Sequence, residues 1–135
     1  MQKLMLTIFA VFMMSMYSHA QNNATAVGDS IIFEKIVHDY GTIIQGSNGE
    51  TEFVFVNKGQ KPIILNHVSA SCGCTSPDWT KKPILPGEKG SVKVKYDTDV
   101  LGSFTKSVVV SSNASNPNVT LIIRGNIVPR ATARQ

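Results

Sequence analysis

Apolar and polar residues alternate with a period of two along much of this chain, most sharply at 51–57 and 91–96. Phe53 and Phe55 fall on one side of their segment, and Val92, Val94 and Tyr96 on one side of theirs, with Lys93 and Lys95 opposite. That is the pattern of strands with one dry and one wet face. The β-branched run Ile31–Val37, the return segment Ile63–Val68, and the segments Phe104–Ser111 and Val119–Gly125 predict further strands, with Val119, Leu121 and Ile123 sharing a face. His38–Ile43 follows the first of these, with Gly41 suggesting a bend and Tyr40 an apolar anchor. Turn clusters at Gln45–Gly49, Asn57–Pro62, Pro86–Gly90 and Asn113–Asn118 separate the strands. Ser76–Pro83 carries prolines at 77 and 83 and is expected to be irregular. No segment sustains helical periodicity. The sum predicts an all-β antiparallel sandwich of about seven strands, burying Phe53, Phe55, Leu65, Val94, Val108 and Leu121 between two sheets. At about 2 kcal/mol per buried large side chain, such a core holds a fold without a covalent staple.

The first residues break the alternation. Lys3 precedes an apolar run of about ten residues, and Ser18-His19-Ala20 follows as a small-x-small exit. This predicts a signal peptide over 1–20, too short to span a bilayer, which takes roughly 20 apolar residues. The polar stretch 21–30 is expected to be a flexible leader, 31–128 the sandwich domain and 129–135 a C-terminal tail. An extracytoplasmic location follows, periplasmic or secreted, with no membrane span after cleavage and with disulfides permitted. The net charge of +4 comes from lysines interspersed with acids rather than from a basic stripe, so nucleic acid is not an expected partner.

Candidate chemistry is confined to one place. Cys72 and Cys74, the two cysteines of the chain, flank Gly73, and Trp79, its single tryptophan, follows shortly after. In an extended segment the two thiols would share a face. Three readings stand. As small apolar residues they pack at the sandwich edge near Trp79. As a disulfide they make a poor staple, closing a loop worth roughly 1–2 kcal/mol, but exposed or strained disulfides are the more reducible ones, so a redox pair is chemically sensible. As thiolates they suit Cu(I) or Zn(II), although His38 and His67 lack the spacing of a zinc module. The first reading is favoured over the redox one, and that over metal. No catalytic, cofactor-binding or metal-binding residue is assigned: the chain has no Gly-x-Ser-x-Gly elbow and no phosphate-binding Gly-rich loop.

Several motifs together carry a resemblance: His38–Ile43, the Phe53–Gly59 strand and turn, Ser71-Cys72-Gly73-Cys74-Thr75, Pro86-Gly87-Glu88 and the Ser111–Ala114 turn. Over about 30–128 the chain resembles a family of short exported Bacteroidetes domains of unknown function. That family is similar to the abnormal-spindle and hydin domains, relatives of major sperm protein. The resemblance implies an immunoglobulin-like β-sandwich that serves as a binding or structural module, and it supplies no catalytic roles. The expectation is a non-enzymatic exported module without a cofactor, offering strand edges and end loops to a protein partner, with Trp79 as a candidate anchor. The alternative is a small extracytoplasmic redox or metal-handling protein that uses Cys72 and Cys74.

Overall fold

In the computed structural model, residues 28–131 are described. The expected signal peptide, most of the leader and the last residues of the tail lie outside them. Eight strands form two four-stranded sheets packed face to face. They are β1 (Ile31–Phe33), β2 (Val37–Ile44), β3 (Glu50–Asn57), β4 (Leu65–Ala70), β5 (Thr75–Trp79), β6 (Lys89–Tyr96), β7 (Gly102–Ser112) and β8 (Asn118–Val128). One sheet runs β1-β3-β6-β5 and the other β2-β8-β7-β4. Phe53, Phe55, Val92, Val94, Val108, Leu121 and Ile123 are all buried between them. The alternation therefore placed the core residues on the correct faces.

Three expectations are corrected. The run from Ile31 through Ile43 is two strands in different sheets: β1 pairs with β3, and the chain crosses the sandwich at Glu34–Ile36 before β2 begins. β2 also lies parallel to β8, so the second sheet is mixed rather than wholly antiparallel. The bend expected at Gly41 is a register shift between Asp39 and Thr42, and Gly41 has φ 65°, a left-handed conformation that glycine adopts without a Cβ penalty. Arg124 of β8 meets the Asp39 carboxylate across this bulge at 2.8 Å. Donation from the Gly41 N–H, then from Arg124, holds that carboxyl below its ordinary pKa.

The second correction is Pro77, which sits inside β5 opposite Val94. Proline fits because β5 is an edge strand with β6 on one side only. The bonds that bracket the strand, from Asp97 N–H to Cys74 O and from Thr80 N–H to Ser91 O, fall on the even-numbered residues at its two ends. Pro77 is odd-numbered, so its missing N–H faces away from β6.

The third concerns Gly28–Ser30, read as the end of a leader. Asp29 is tied into the fold: its carboxylate accepts the N–H groups of Gln60 and Lys61, and its carbonyl accepts that of Ser115.

Candidate functional site

The Cys72–Cys74 loop joins β4, an edge of one sheet, to β5, an edge of the other, so it closes one end of one open side of the sandwich. Both of its ends are pinned. At the entrance Ser71 N–H donates to Ser107 O (2.9 Å), and Ser107 N–H donates back to Ser71 Oγ (3.1 Å). At the exit Asp97 N–H donates to Cys74 O (2.8 Å). Between them Thr75 N–H reaches Cys72 O at 3.3 Å. The cysteines thus occupy a turn, not the extended segment expected of them. Two extended residues would separate the Cα atoms by roughly 6.6 Å; the turn brings them to 5.3 Å, and Cys72 and Cys74 are joined as a disulfide.

The two sulfurs have different surroundings. Cys74 packs against the hydrophobic core. Cys72 Sγ lies 3.6 Å from the hydroxyl of Thr75, a residue itself 4% exposed. Gly73 stands exposed between them, with nothing within 4 Å of the place a Cβ would take. Beneath the loop Tyr96 pairs with Thr75 and stacks on Phe104 at 3.8 Å, and burial, then the charge of Asp97, pushes its hydroxyl pKa up.

Because the loop is held by hydrogen bonds at both ends, the disulfide adds little to stability. Replacing both cysteines, Cys72→Ser with Cys74→Ser, is expected to cost no more than about 2 kcal/mol. Urea denaturation of the variant beside the parent measures this directly, and unfolding at room temperature would show the loop to depend on its covalent bond.

Trp79 ends β5 on the same open side. Its half-buried ring packs against the core, meets His67 of β4 edge-on at 6.2 Å, and lies under the Lys81 ammonium, 2.9 Å from the ring centroid. It bridges the two sheets more than it projects from them. Neither histidine approaches the disulfide as part of a ligand set: among the described residues no group of three or more His, Cys, Asp or Glu side chains could hold a metal ion. His38 instead contacts Tyr40 edge-on at 4.4 Å and has Lys35 Nζ 3.1 Å from its Nδ1.

Sequence reasoning missed a second element of this end. The β6–β7 loop, hydrogen-bonded to Cys74 through Asp97, carries Val100 and Leu101, which are 48% and 50% exposed. Adjacent apolar residues in a loop between two strands were the available signal.

Two packed sheets with one mixed and one antiparallel set of strands define a protein of the immunoglobulin-like, PapD-like β-sandwich class. Within that class residues 31–127 match the family described as Protein of unknown function (DUF1573), and the chain belongs to it. A solved protein of unknown function from Porphyromonas gingivalis W83 superimposes with a TM-score of 0.66 at 16% identity. The match covers 77% of this chain and 51% of that one, so the chain spans about half the length of that relative. The ASH/PapD-like domain 7 of human CEP192 gives 0.64 at 9% identity, over 77% of this chain and 89% of that one. A chain of the CsuC–CsuE chaperone–tip adhesion subunit pre-assembly complex of Acinetobacter baumannii gives a TM-score of 0.51 at 11% identity, over 72% of this chain and 56% of that one. No curated protein matches the sequence.

Proposed function

We propose that this domain is an extracytoplasmic binding module without catalytic turnover, and that it meets a protein partner through the end carrying the Cys72–Cys74 and Asp97–Leu101 loops. The observation that carries this reading is the half-exposed Val100–Leu101 pair at a loop tip. Paired apolar side chains in water gain by being covered, and the neighbouring loop is held rigid enough to present a fixed surface. The shared fold supports it too, since a chain of similar architecture was solved within a chaperone–adhesion subunit complex. A segment with an apolar side chain to lay across Val100 and Leu101 fits this end.

The test is site-specific photo-crosslinking in the native compartment. A photoreactive residue in place of Leu101 is expected to give a discrete protein adduct in the extracytoplasmic fraction, whereas one in place of Lys93, on the outer face of β6, gives none. Adding Val100→Asp should reduce the Leu101 adduct on the order of tenfold, the scale of an interface hot spot, with little change in melting temperature. Equal adducts at both positions, or none at Leu101, would overturn the assignment. Trp79→Ala serves as the contrast: its ring packs on the core, so it should lower the melting temperature. Loss of the adduct without that drop would move the anchor to Trp79.

A further inference from the structure

We propose that the Cys72–Cys74 disulfide is a thiol–disulfide exchange site that accepts two electrons from a protein dithiol, with Cys72 forming the mixed disulfide and Cys74 released as the leaving thiolate. Three observations lead there. The tip of the loop is open, since Gly73 is exposed and no residue beyond its two neighbours comes within 4 Å of where its Cβ would stand. Its shape does not depend on the S–S bond, because Ser71 is bonded to Ser107 and Cys74 to Asp97 through groups that no redox change touches. Oxidised and reduced forms therefore share one scaffold, which is what a reversible couple needs and a staple does not.

The third observation is the asymmetry of the two sulfurs. In the disulfide Cys72 Sγ carries no proton, so the Thr75 hydroxyl 3.6 Å away is the donor between them. That donor is fixed by burial and remains in place to stabilise a Cys72 thiolate. Cys74, packed on apolar side chains, gains no such partner. The sulfur not packed against the core and the better-stabilised thiolate thus coincide at Cys72.

The exchange balances as follows. A partner thiolate attacks Cys72 Sγ, forming a partner–Cys72 disulfide and breaking the Cys72–Cys74 bond; Cys74 leaves as a thiolate and takes up a proton. The second partner thiolate attacks the partner sulfur of the mixed disulfide and expels the Cys72 thiolate, to which Thr75 donates. The partner dithiol is oxidised to a disulfide, the Cys72–Cys74 pair is reduced to two thiols, and no further oxidant or reductant enters. The site shares an end with the proposed binding surface but its chemistry can be read without it.

A reduced Cys-Ala-Ala-Cys peptide is the probe. Incubated with the oxidised domain, it should become a peptide disulfide as the domain gains two free thiols, one for one by intact mass. Cys74→Ser, treated with oxidised glutathione, should form its mixed disulfide at Cys72 roughly ten times faster than Cys72→Ser does at Cys74. Thr75→Val, checked for an unchanged fold by its melting temperature, should move the pH profile of Cys72 alkylation upward in the Cys74→Ser background. A pair that stays oxidised in excess peptide, or equal rates for the two single variants, would overturn the proposal. The exchange is read with this small peptide and the binding surface by the crosslink from position 101, so failure of the binding reading and failure of this one are told apart.

Discussion

Phe55→Ala is expected to cost about 3–5 kcal/mol, the range for emptying a fully buried aromatic site. Such a loss is a large share of the 5–15 kcal/mol that ordinarily holds a domain of this size. Phe55 has no exposed surface and lies 5.1 Å, ring to ring, from Phe33 of the neighbouring strand. Its register partner on β6 is Gly90, and a Cβ built there would run into the Phe55 ring and Ile84. The ring thus fills the space a side chain at 90 would have taken, and β6 has nothing at that position to fill the hole. The site cannot collapse, which sets the cost toward the upper end of the range. Urea denaturation gives the number, and a loss under about 1.5 kcal/mol would contradict this packing. Gly90→Ala offers an independent check: it should destabilise the parent but relieve part of the Phe55→Ala defect, a coupling that only residues in contact show.

Asn57→Ala should be nearly as damaging, although it removes only a small polar side chain. Asn57 is 1% exposed at the end of β3. Its Nδ2 donates to Lys61 O (2.7 Å) and Ile84 O (2.9 Å), and its Oδ1 accepts from Gly59 N–H (2.9 Å). The backbone of the same residue donates to Glu88 O and accepts from Gly87 N–H. One side chain therefore fixes the β3–β4 turn and ties it to the segment before β6. Alanine leaves the Gly59 N–H buried without a partner, at about 1–3 kcal/mol, and takes one donor each from Lys61 O and from Ile84 O, which keeps the Ile63 N–H, for a loss of about 2–5 kcal/mol in all. Asn57→Asp sharpens the test. It keeps the acceptor for Gly59 but sets a carboxylate against two carbonyl oxygens, so its folded-state pKa should rise above the unfolded value. The defect should then be greatest at neutral pH and shrink as pH falls through that raised pKa. Stability curves for the parent and both variants between pH 4 and 8, roughly the span in which a raised carboxyl titrates, decide it; an alanine variant within 0.5 kcal/mol of the parent, about the level of a neutral surface change, would remove Asn57 from this role.

These two residues also mark how far the chain could be read in advance. Phe55 was legible because a strand with one wet face writes its period of two into adjacent residues; Val92, Val94, Tyr96, Leu121 and Ile123 were legible for the same reason. The Cys72–Cys74 pair stood out as the place for chemistry, since spacing and scarcity are properties of the chain alone. Asn57 was read only as the start of a turn, because its partners at Lys61 and Ile84 meet it through the fold.

Alternation along the chain determined which residues face the core, and the turn residues determined where most strands stop. Tertiary structure decided which strands become neighbours. It divided Ile31–Ile44 between two sheets, laid β2 parallel to β8, and admitted Pro77 to β5 by leaving that strand unpaired on one side. It also turned the Cys-Gly-Cys segment and set the Thr75 hydroxyl beside one sulfur, with Val100 and Leu101 in the next loop. The reason is one of range. A side chain's face follows from residues one and two positions away, whereas a strand's neighbour, and hence the free edge that tolerates proline, is set by pairings across the whole length of the domain.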